Sequence, residues 1–238
     1  MANRDFTKGE QFTIYYGKRS SADLLVHNGF VYSCSSEKSD EENTTSGQSD
    51  SMVLRLGIGR TDPLAQPKYD LLDQLSIPRS GGHFVISKEE KPFDNVLLAF
   101  LRILNMTTKE DINKWSNTNT QEAEGEASKE TETDESKETT MNEDECTFAD
   151  KVRELLNDNL SSHPELDVKV YKYLETRITL LLRSYPTTVE QDMKFLNLKD
   201  GAEKQPGNHN LNRKHCTILR SQEKQILHHV LKYCQKSI

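Results

Sequence analysis

The chain has 238 residues, a length that suits one large domain or two small ones. Apolar residues make up 34% and charged residues 29%, so the chain is too polar to be packed along its whole length. No apolar run approaches the roughly 20 residues that cross a bilayer, and the N-terminus lacks the apolar core of a signal peptide. We therefore expect a cytoplasmic protein, which could also be nuclear, without a membrane partner.

The acidic charge is concentrated in two segments. Residues 33–51 contain five acids and one lysine, and residues 116–145 contain eleven acids and two lysines. Because the whole chain has a net charge of -7, the remainder is mildly basic. Both segments are poor in apolar residues and cannot offset the entropy cost of ordering. We predict that they are disordered acidic inserts.

The first ordered unit ends in a helix. Residues 11–16 are rich in β-formers and are predicted as a strand, which Gly17 ends. Ser20 is a favourable N-cap for a helix that runs through His27. Gly29 stands where a helix-ending glycine belongs, so the helix is expected to stop there.

The stretch after the first insert mixes strands and helices. Alternating apolar and polar residues predict a strand at residues 52–58, and a second strand is expected at residues 83–86. A short helix is predicted between them, at residues 69–75, because Pro78 stops it. This stretch therefore has a mixed secondary structure.

Residues 94–104 predict a strongly amphipathic helix. Thr107 and Glu110 have the spacing of a capping box, so another helix is expected to start there and to run to Trp115. The amphipathic helix is predicted to bury one apolar face, which consists of Val96, Leu97, Phe100, Leu101 and Leu104.

Only helices are predicted after the second insert. The first covers residues 148–160, and the second is capped by residues 162–165. A third is capped by residues 187–190 and runs to Leu196. The second helix carries a stripe of Val170, Leu174, Ile178, Leu181 and Leu182, and a last long helix carries Leu219, Ile226, Leu227, Val230 and Leu231. These stripes indicate a helical bundle.

Several kinds of site are not indicated. The four cysteines form no C-x-x-C pair and no zinc-ligand spacing, so we expect isolated reduced thiols and no metal. His228 and His229 are adjacent and point to different sides of a helix, so they are poor joint ligands and are predicted to lie on a solvated face. The basic residues of the last helix are interpreted as a solvated face rather than a nucleic-acid site, since no aromatic residues are interleaved with them: Arg213, Lys214, Arg220, Lys224 and Lys232.

Four short motifs stand near the N-terminus, at residues 5–11, 14–17, 19–20 and 27–30. Together they resemble the end of the SET domain in Rubisco-methyltransferase-like enzymes. The Tyr-Gly followed by Arg-Ser and the His-x-Gly-Phe exit favour the subgroup that methylates a histidine of actin. Three later segments, residues 54–57, 98–102 and 181–185, are similar to the helical substrate-binding domain of the same family. The motifs that carry the N-terminal resemblance are residues 5–11, Ile14-Tyr15-Tyr16-Gly17, Arg19-Ser20 and His27-Asn28-Gly29-Phe30.

This resemblance implies roles for individual residues in a methyl transfer from S-adenosyl-L-methionine. Tyr16 corresponds to the catalytic tyrosine at the methyl channel. Substrate binding is implied for Ile14, Tyr15 and Arg19, and cofactor binding for Asn28, Gly29 and Phe30. The resemblance implies an α+β fold, in which the C-terminal remnant of a SET β-fold precedes a mainly α-helical substrate-binding domain. It implies a protein substrate, with actin expected, and a monomeric enzyme.

The domain limits follow from the resemblance and the inserts. Residues 1–32 are expected to end a SET domain, and residues 33–51 and 116–145 to be acidic inserts. The helical domain then comprises residues 52–115 and 146–238. Because the family builds most of its cofactor pocket upstream, including an Asn-His motif, we expect an N-terminally truncated chain that is inactive in isolation. A non-catalytic module that binds actin or another protein, and a protein-lysine methyltransferase, remain alternatives.

Overall fold

The computed structural model describes residues 7–10, 19–31, 51–79, 82–115, 151–157, 164–199 and 208–238. These residues are mostly helical, and the two strands come directly before and directly after the second helix. The elements are α1 (Ser21–Asn28), β1 (Ser51–Arg55), α2 (Ala65–Gln74), β2 (His83–Ser87), α3 (Asn95–Leu104), α4 (Lys109–Asn113), a 3-10 turn (Glu154–Leu156), α5 (Pro164–Ser184), α6 (Val189–Lys199) and α7 (Asn208–Ser237).

The two strands form an antiparallel ribbon. Leu54 lies opposite Phe84 and both are buried, whereas the next pair, Val53 and Val85, faces outwards. This alternation follows from the two-residue period of a strand. The predicted strand at residues 52–58 is confirmed only in its first part, because β1 ends at Arg55. The ribbon packs against α7.

Helix α3 is the centre of the core. Asp94 caps it by accepting a hydrogen bond from the Leu97 backbone N–H at 2.8 Å. Every residue from Leu97 to Ile103 is buried, whereas Val96 is 40% exposed. The prediction of a single buried face was therefore wrong in two respects. The helix is enclosed on all sides, which is why its apolar residues exceed one stripe, and Val96 lies outside the core.

Arg102 joins three parts of the chain from within this core. Its Nε and Nη2 donate to the two carboxylate oxygens of Asp167 on α5, at 2.7 and 2.9 Å. Its Nη1 donates to the carbonyl oxygens of Leu155 and Asn157, both at 2.7 Å. The Arg102 and Asp167 side chains are only 1% and 3% exposed. This guanidinium is a buried charge whose donors are used in a fork geometry.

Two predicted capping boxes are displaced by one residue. The first residue of each Thr-Thr pair was predicted as the cap, but the second one caps. Thr108 Oγ1 accepts from the Asp111 backbone N–H at 3.1 Å and starts α4. Thr188 Oγ1 accepts from the Gln191 N–H at 3.2 Å, and Gln191 Oε1 accepts from the Thr188 N–H at 2.9 Å, which starts α6.

The helix predicted at residues 148–160 was wrong at its end. Residues 151–153 are helical, the 3-10 turn follows, and Asn157 has an extended backbone. The carbonyl groups at this end accept hydrogen bonds from Arg102, which fixes the exit of the chain. The predicted short helix at residues 69–75 starts earlier than expected, since α2 begins at Ala65.

The predicted helical bundle is confirmed where α5 packs on α7. Val170, Leu174 and Ile178 of the predicted α5 stripe are buried, as are Ile226, Leu227 and Val230 on α7. Two long helices with facing apolar stripes bury them against each other. The structure is thus α+β, mostly helical with a small antiparallel sheet. In the part of the chain that the structure describes, no helix is long and apolar enough to span a membrane.

Two predictions about the polar face of α7 were wrong. Lys224 is 2% exposed and lies in an ionic cluster rather than on a solvated face. The ring of His229 is half-buried, and its Nε2 lies 2.8 Å from the Glu89 carbonyl oxygen, a distance at which the ring N–H donates to that carbonyl. Long-range partners, which sequence periodicity does not reveal, bury both groups.

Candidate functional site

Helix α1 has the two caps that its sequence predicts. The Ser20 hydroxyl accepts from the Asp23 backbone N–H at 3.1 Å and donates to the Asp23 carboxylate at 2.7 Å. At the other end Gly29 has a φ of 78°, and its N–H donates to the Leu25 carbonyl oxygen at 3.1 Å. A left-handed residue at this position is the common way to end a helix. The helix therefore has fixed limits at both ends.

The helical domain holds α1 by its inner face. Leu24 and Val31 are 3% and 8% exposed, and α1 contacts α7. Val26 is 77% exposed and lies away from the contact. The outer face of α1 is therefore a surface whose position depends on the helical domain.

Two of the predicted site residues meet on that outer face. Arg19, Asp23, His27 and Asn28 line an open pocket of about 440 Å³. Arg19 and His27 are exposed, whereas Asn28 is half-buried. The Asn28 side-chain oxygen is buried and has no hydrogen-bond partner among the described residues. A buried amide oxygen normally has a partner, so this one is available to accept a bond from a ligand.

The predicted cofactor residues continue beyond the pocket. Gly29 is exposed and Phe30 is half-buried, directly after Asn28. The Asn28 amide oxygen can accept from an N–H donor, and the Phe30 ring two residues later can pack on a flat heterocycle, and an adenine-containing cofactor has both groups. The residues that are present thus fit the cofactor implied by the resemblance. Tyr16, Tyr15 and Ile14 lie outside the described residues, so their assignments stay predictions.

The sequence analysis missed a second cleft, of about 350 Å³, between α4 and the start of α5. Met106 and Trp115 form an apolar floor and are 0% and 6% exposed. Burial would raise the pKa of Asp111 at its rim, but hydrogen bonds from Thr108 and Thr107 outweigh burial and lower the pKa. The signal available in the sequence was the tryptophan that follows the amphipathic helix; its packing partner comes from a distant segment.

No metal site is visible within the described ranges. No three His, Cys, Asp or Glu side chains there are grouped so that they could hold a metal ion. Cys216 is exposed and Cys234 is buried, and both are free thiols. The outer face of α1 presents Arg19, Asp23 and His27, which can recognise a ligand by charge and hydrogen bonding.

The sequence model of the Rubisco LSMT substrate-binding family matches residues 59–227, and the chain belongs to that family. The match confirms the family predicted from the motifs. It also agrees with the predicted helical domain, although it leaves the individual domain limits untested.

Comparison with curated proteins gives relatives that are named more specifically than the domain family. The chain is 31% identical over 200 residues to the actin-histidine N-methyltransferase of Xenopus tropicalis and 30% identical to that of Gallus gallus. These alignments cover 84% of the chain but only 27% of each relative. The chain therefore spans about a quarter of the length of the curated relatives that it matches.

Solved structures share the fold. The SET domain of LSMT bound to methyllysine and AdoHcy matches with a TM-score of 0.61 at 19% identity, over 93% of this chain and 39% of that one. Rubisco LSMT bound to AdoMet matches with a TM-score of 0.60 at 18% identity, over 92% of this chain and 38% of that one. At this identity the likeness establishes the fold alone.

Proposed function

We propose that this chain belongs to an S-adenosylmethionine-dependent protein-histidine N-methyltransferase that acts on actin. The observation that carries the proposal is the similarity to relatives named actin-histidine N-methyltransferase, which extends over 200 residues and 84% of the chain. The pocket formed by Arg19 and Asn28 supports it, because a predicted substrate residue and a predicted cofactor residue share one surface.

The chemistry requires positioning more than it requires acid or base groups. S-adenosylmethionine supplies an electrophilic methyl group when it is bound. The protein must then hold the acceptor nitrogen in line with that methyl carbon. A phenol at the position predicted for Tyr16 suits the task of fixing an imidazole in one tautomer by a hydrogen bond.

Arg19 and the helical domain would share the binding of the protein substrate. The Arg19 guanidinium is exposed at the edge of the pocket, where it can donate to a carboxylate or carbonyl group of a peptide. Asn28 and Phe30 would hold the cofactor with an amide oxygen and a ring. We also propose that the protein works as a monomer in the cytoplasm, or in the cytoplasm and nucleus.

We propose that the 238-residue chain by itself binds S-adenosylmethionine weakly or not at all. The motive is that it spans 27% of the length of its relatives, whose similarity implies a pocket built mostly upstream. Isothermal titration calorimetry with the chain tests this. Measurable micromolar binding would show that residues of this chain are enough to form the cofactor pocket.

Two other functions have an observation in their favour. The family match is to a substrate-binding domain, which favours a module that binds actin or another protein without modifying it. Three solved structures that share the fold contain lysine or methyllysine, which favours a lysine methyltransferase. All three functions use the same helical domain and differ in the reaction.

Mass spectrometry separates these functions. The protein purified from its own cells, with any sequence that precedes Met1, is incubated with actin and S-adenosylmethionine, and the modified residue is mapped. We expect a methylated histidine, and its loss in Tyr16→Phe. Methyl groups on lysine alone would favour the lysine enzyme. Retention of actin without methylation, unchanged by Tyr16→Phe and Arg19→Ala, would favour the binding module.

A further inference from the structure

Helix α6 is attached to the domain in an unusual way. Among its residues 189–197, Asp192 is the only side chain that is fully buried, with 1% exposure. Val189, Phe195 and Leu196 are half-buried. A surface helix is normally held by an apolar stripe, and a carboxylate is seldom its most buried group. The attachment of α6 thus depends on a charge.

The partners of this carboxylate come from α7 and from the turn before α6. Asp192 accepts hydrogen bonds from Lys224 Nζ at 2.5 Å, Thr187 Oγ1 at 2.7 Å and Arg220 Nη2 at 3.1 Å. Lys224 Nζ also donates to the carbonyl oxygens of Thr187 and Thr188, at 2.8 and 3.0 Å. Four polar groups therefore meet between α6 and α7: the Asp192 carboxylate, the Lys224 ammonium, the Arg220 guanidinium and the Thr187 hydroxyl.

Lys224 depends on α6 and the turn before it for its acceptors. Its side chain is 2% exposed, and it donates to Asp192 and to the two carbonyl groups at the start of α6. The Tyr185 ring lies 5.7 Å away from the ammonium group, and the Tyr185 hydroxyl donates to Glu223. A buried ammonium that loses its carboxylate is strongly unfavourable, because no solvent replaces it. The docked position of α6 therefore requires a charged Asp192, because Asp192 supplies the counter-charge for the buried Lys224.

The electrostatics of the cluster agree with this geometry. Burial alone would raise the pKa of Asp192, but hydrogen bonds from Lys224, Thr187 and Arg220 outweigh it and hold the pKa below its ordinary value. The carboxylate stays charged in the docked state. Protonation would remove its attraction for both cations, so its contribution to docking is complete above the ordinary pKa of an aspartate and is lost as the pH falls from there through the lowered pKa.

The other helices are joined mainly by apolar contacts, although α3 and α5 also share the buried ion pair of Arg102 and Asp167. Helices α3, α5 and α7 are joined by apolar residues that are buried, such as Phe100, Leu174 and Leu227. Helix α6, in contrast, packs mainly on α7. An element with few buried apolar contacts opens locally at a lower free energy than the core does.

We propose that Asp192, Lys224 and Arg220 form an ionic latch that docks α6 on α7, and that α6 undocks as a unit while the core stays folded. Release exposes the half-buried face of α6 and two cations on α7. The latch is therefore a conformational device that lets one helix of the domain change position independently of the others.

Hydrogen exchange of the 238-residue chain, followed by mass spectrometry, tests the latch. In Asp192→Asn the Lys224 ammonium stays buried without a counter-charge. We expect the amides of residues 189–199 to exchange about tenfold faster or more, and those of α3 to keep their protection. Arg220→Gln should give a smaller increase, since Asp192 keeps Lys224 and Thr187 as partners.

Glu190→Gln is the matched control, because it removes a carboxylate charge from an exposed position on the same helix, while the amide oxygen can still accept the hydrogen bond that Thr188 donates to Glu190. It should leave α6 protected. The latch is overturned if Asp192→Asn protects α6 as well as the wild type does, or if α3 and α6 lose protection together. If Asp192→Asn does not fold, the same comparison is made with Arg220→Gln, and equal protection of α6 there overturns the latch.

Discussion

Gly29 ends α1 in a backbone conformation that other residues rarely adopt. Its φ is 78°, and a methyl group added at Cα would have no atom within 4 Å. The cost of Gly29→Ala is therefore conformational and not steric, about 1 kcal/mol. We expect the backbone amides of α1 to exchange faster in this variant. We also expect a ligand to bind more weakly in the pocket lined by Arg19 and Asn28.

Hydrogen exchange of residues 21–28 measures this effect. Gly59→Ala is the control, because that glycine also has open space around it but no positive φ. If α1 stays as protected in Gly29→Ala as in the wild type, the helix end does not depend on the left-handed residue.

Cys234 and Cys216 lie on the same helix in different environments. Burial, with the Glu175 carboxylate nearby, raises the pKa of the Cys234 thiol from its ordinary value of 9.0 to about 12. Cys216 is exposed. At about pH 8 we expect iodoacetamide to label Cys216 and to spare Cys234, because only a thiolate reacts. Peptide mapping after labelling checks this, and equal labelling of both thiols in the folded protein would contradict it.

The raised pKa of the Cys234 thiol also predicts how alkaline pH affects the free energy of unfolding. Above pH 9.0 the unfolded state loses the thiol proton that the folded state keeps. The contribution of the neutral Cys234 thiol to the free energy of unfolding is therefore complete below pH 9.0 and declines as the pH rises towards 12. The urea-unfolding free energy of the wild type should therefore fall more steeply above about pH 9 than that of Cys234→Ala.

At the scale of single elements, the start of α4 tests which threonine caps a helix. Thr108 accepts from the Asp111 N–H, whereas the Thr107 hydroxyl has no such role. Thr108→Ala should lower the unfolding free energy by about 1 kcal/mol, and Thr107→Ala should have little effect. Urea denaturation of both variants measures the difference. A larger loss in Thr107→Ala would reverse the assignment.

These threonines show why the sequence located the helices but not their first residues. Thr107 and Glu110 have capping-box spacing, but so do Thr108 and Asp111, one position further along. Spacing alone does not distinguish them. The choice depends on which backbone N–H groups lack partners once the preceding chain has turned, and tertiary structure fixes that turn.

Local sequence spacing also failed to identify the partners of polar residues on helix faces. The stripes of α5 and α7 were predictable because apolar residues repeat with the helical period. Lys224 was predicted as solvated because a lysine normally is, and nothing near it in sequence indicates Asp192, 32 residues earlier. For the candidate site, the caps of α1 are local and were predicted, whereas the cleft beside Trp115 joins distant segments and was not.

At the scale of the whole molecule, Arg102 holds together chain segments on both sides of residues 116–150. It bonds α5 and the carbonyl groups of Leu155 and Asn157 from the core of α3. Arg102→Ala would leave the buried Asp167 carboxylate without a partner, so we expect a loss of about 3–5 kcal/mol. Urea unfolding of the chain measures it.

Arg79 provides the control, because it also pairs with an aspartate, Asp73, but both side chains are about half exposed. Solvent screens such a pair, so Arg79→Ala should leave the unfolding free energy nearly unchanged. Similar losses in the two arginine variants would show that burial does not determine the contribution of Arg102.

The bond between Arg102 and Asp167 also has a consequence for the rate of folding. The two residues are 65 positions apart, so the chain must close a long loop before they meet. Both groups must then leave water, which favours their pairing only after the surrounding apolar side chains have assembled. We infer that the pair forms late, after the transition state. Weakening it should accelerate unfolding while leaving the folding rate almost unchanged, so Arg102 acts mainly on the lifetime of the native state.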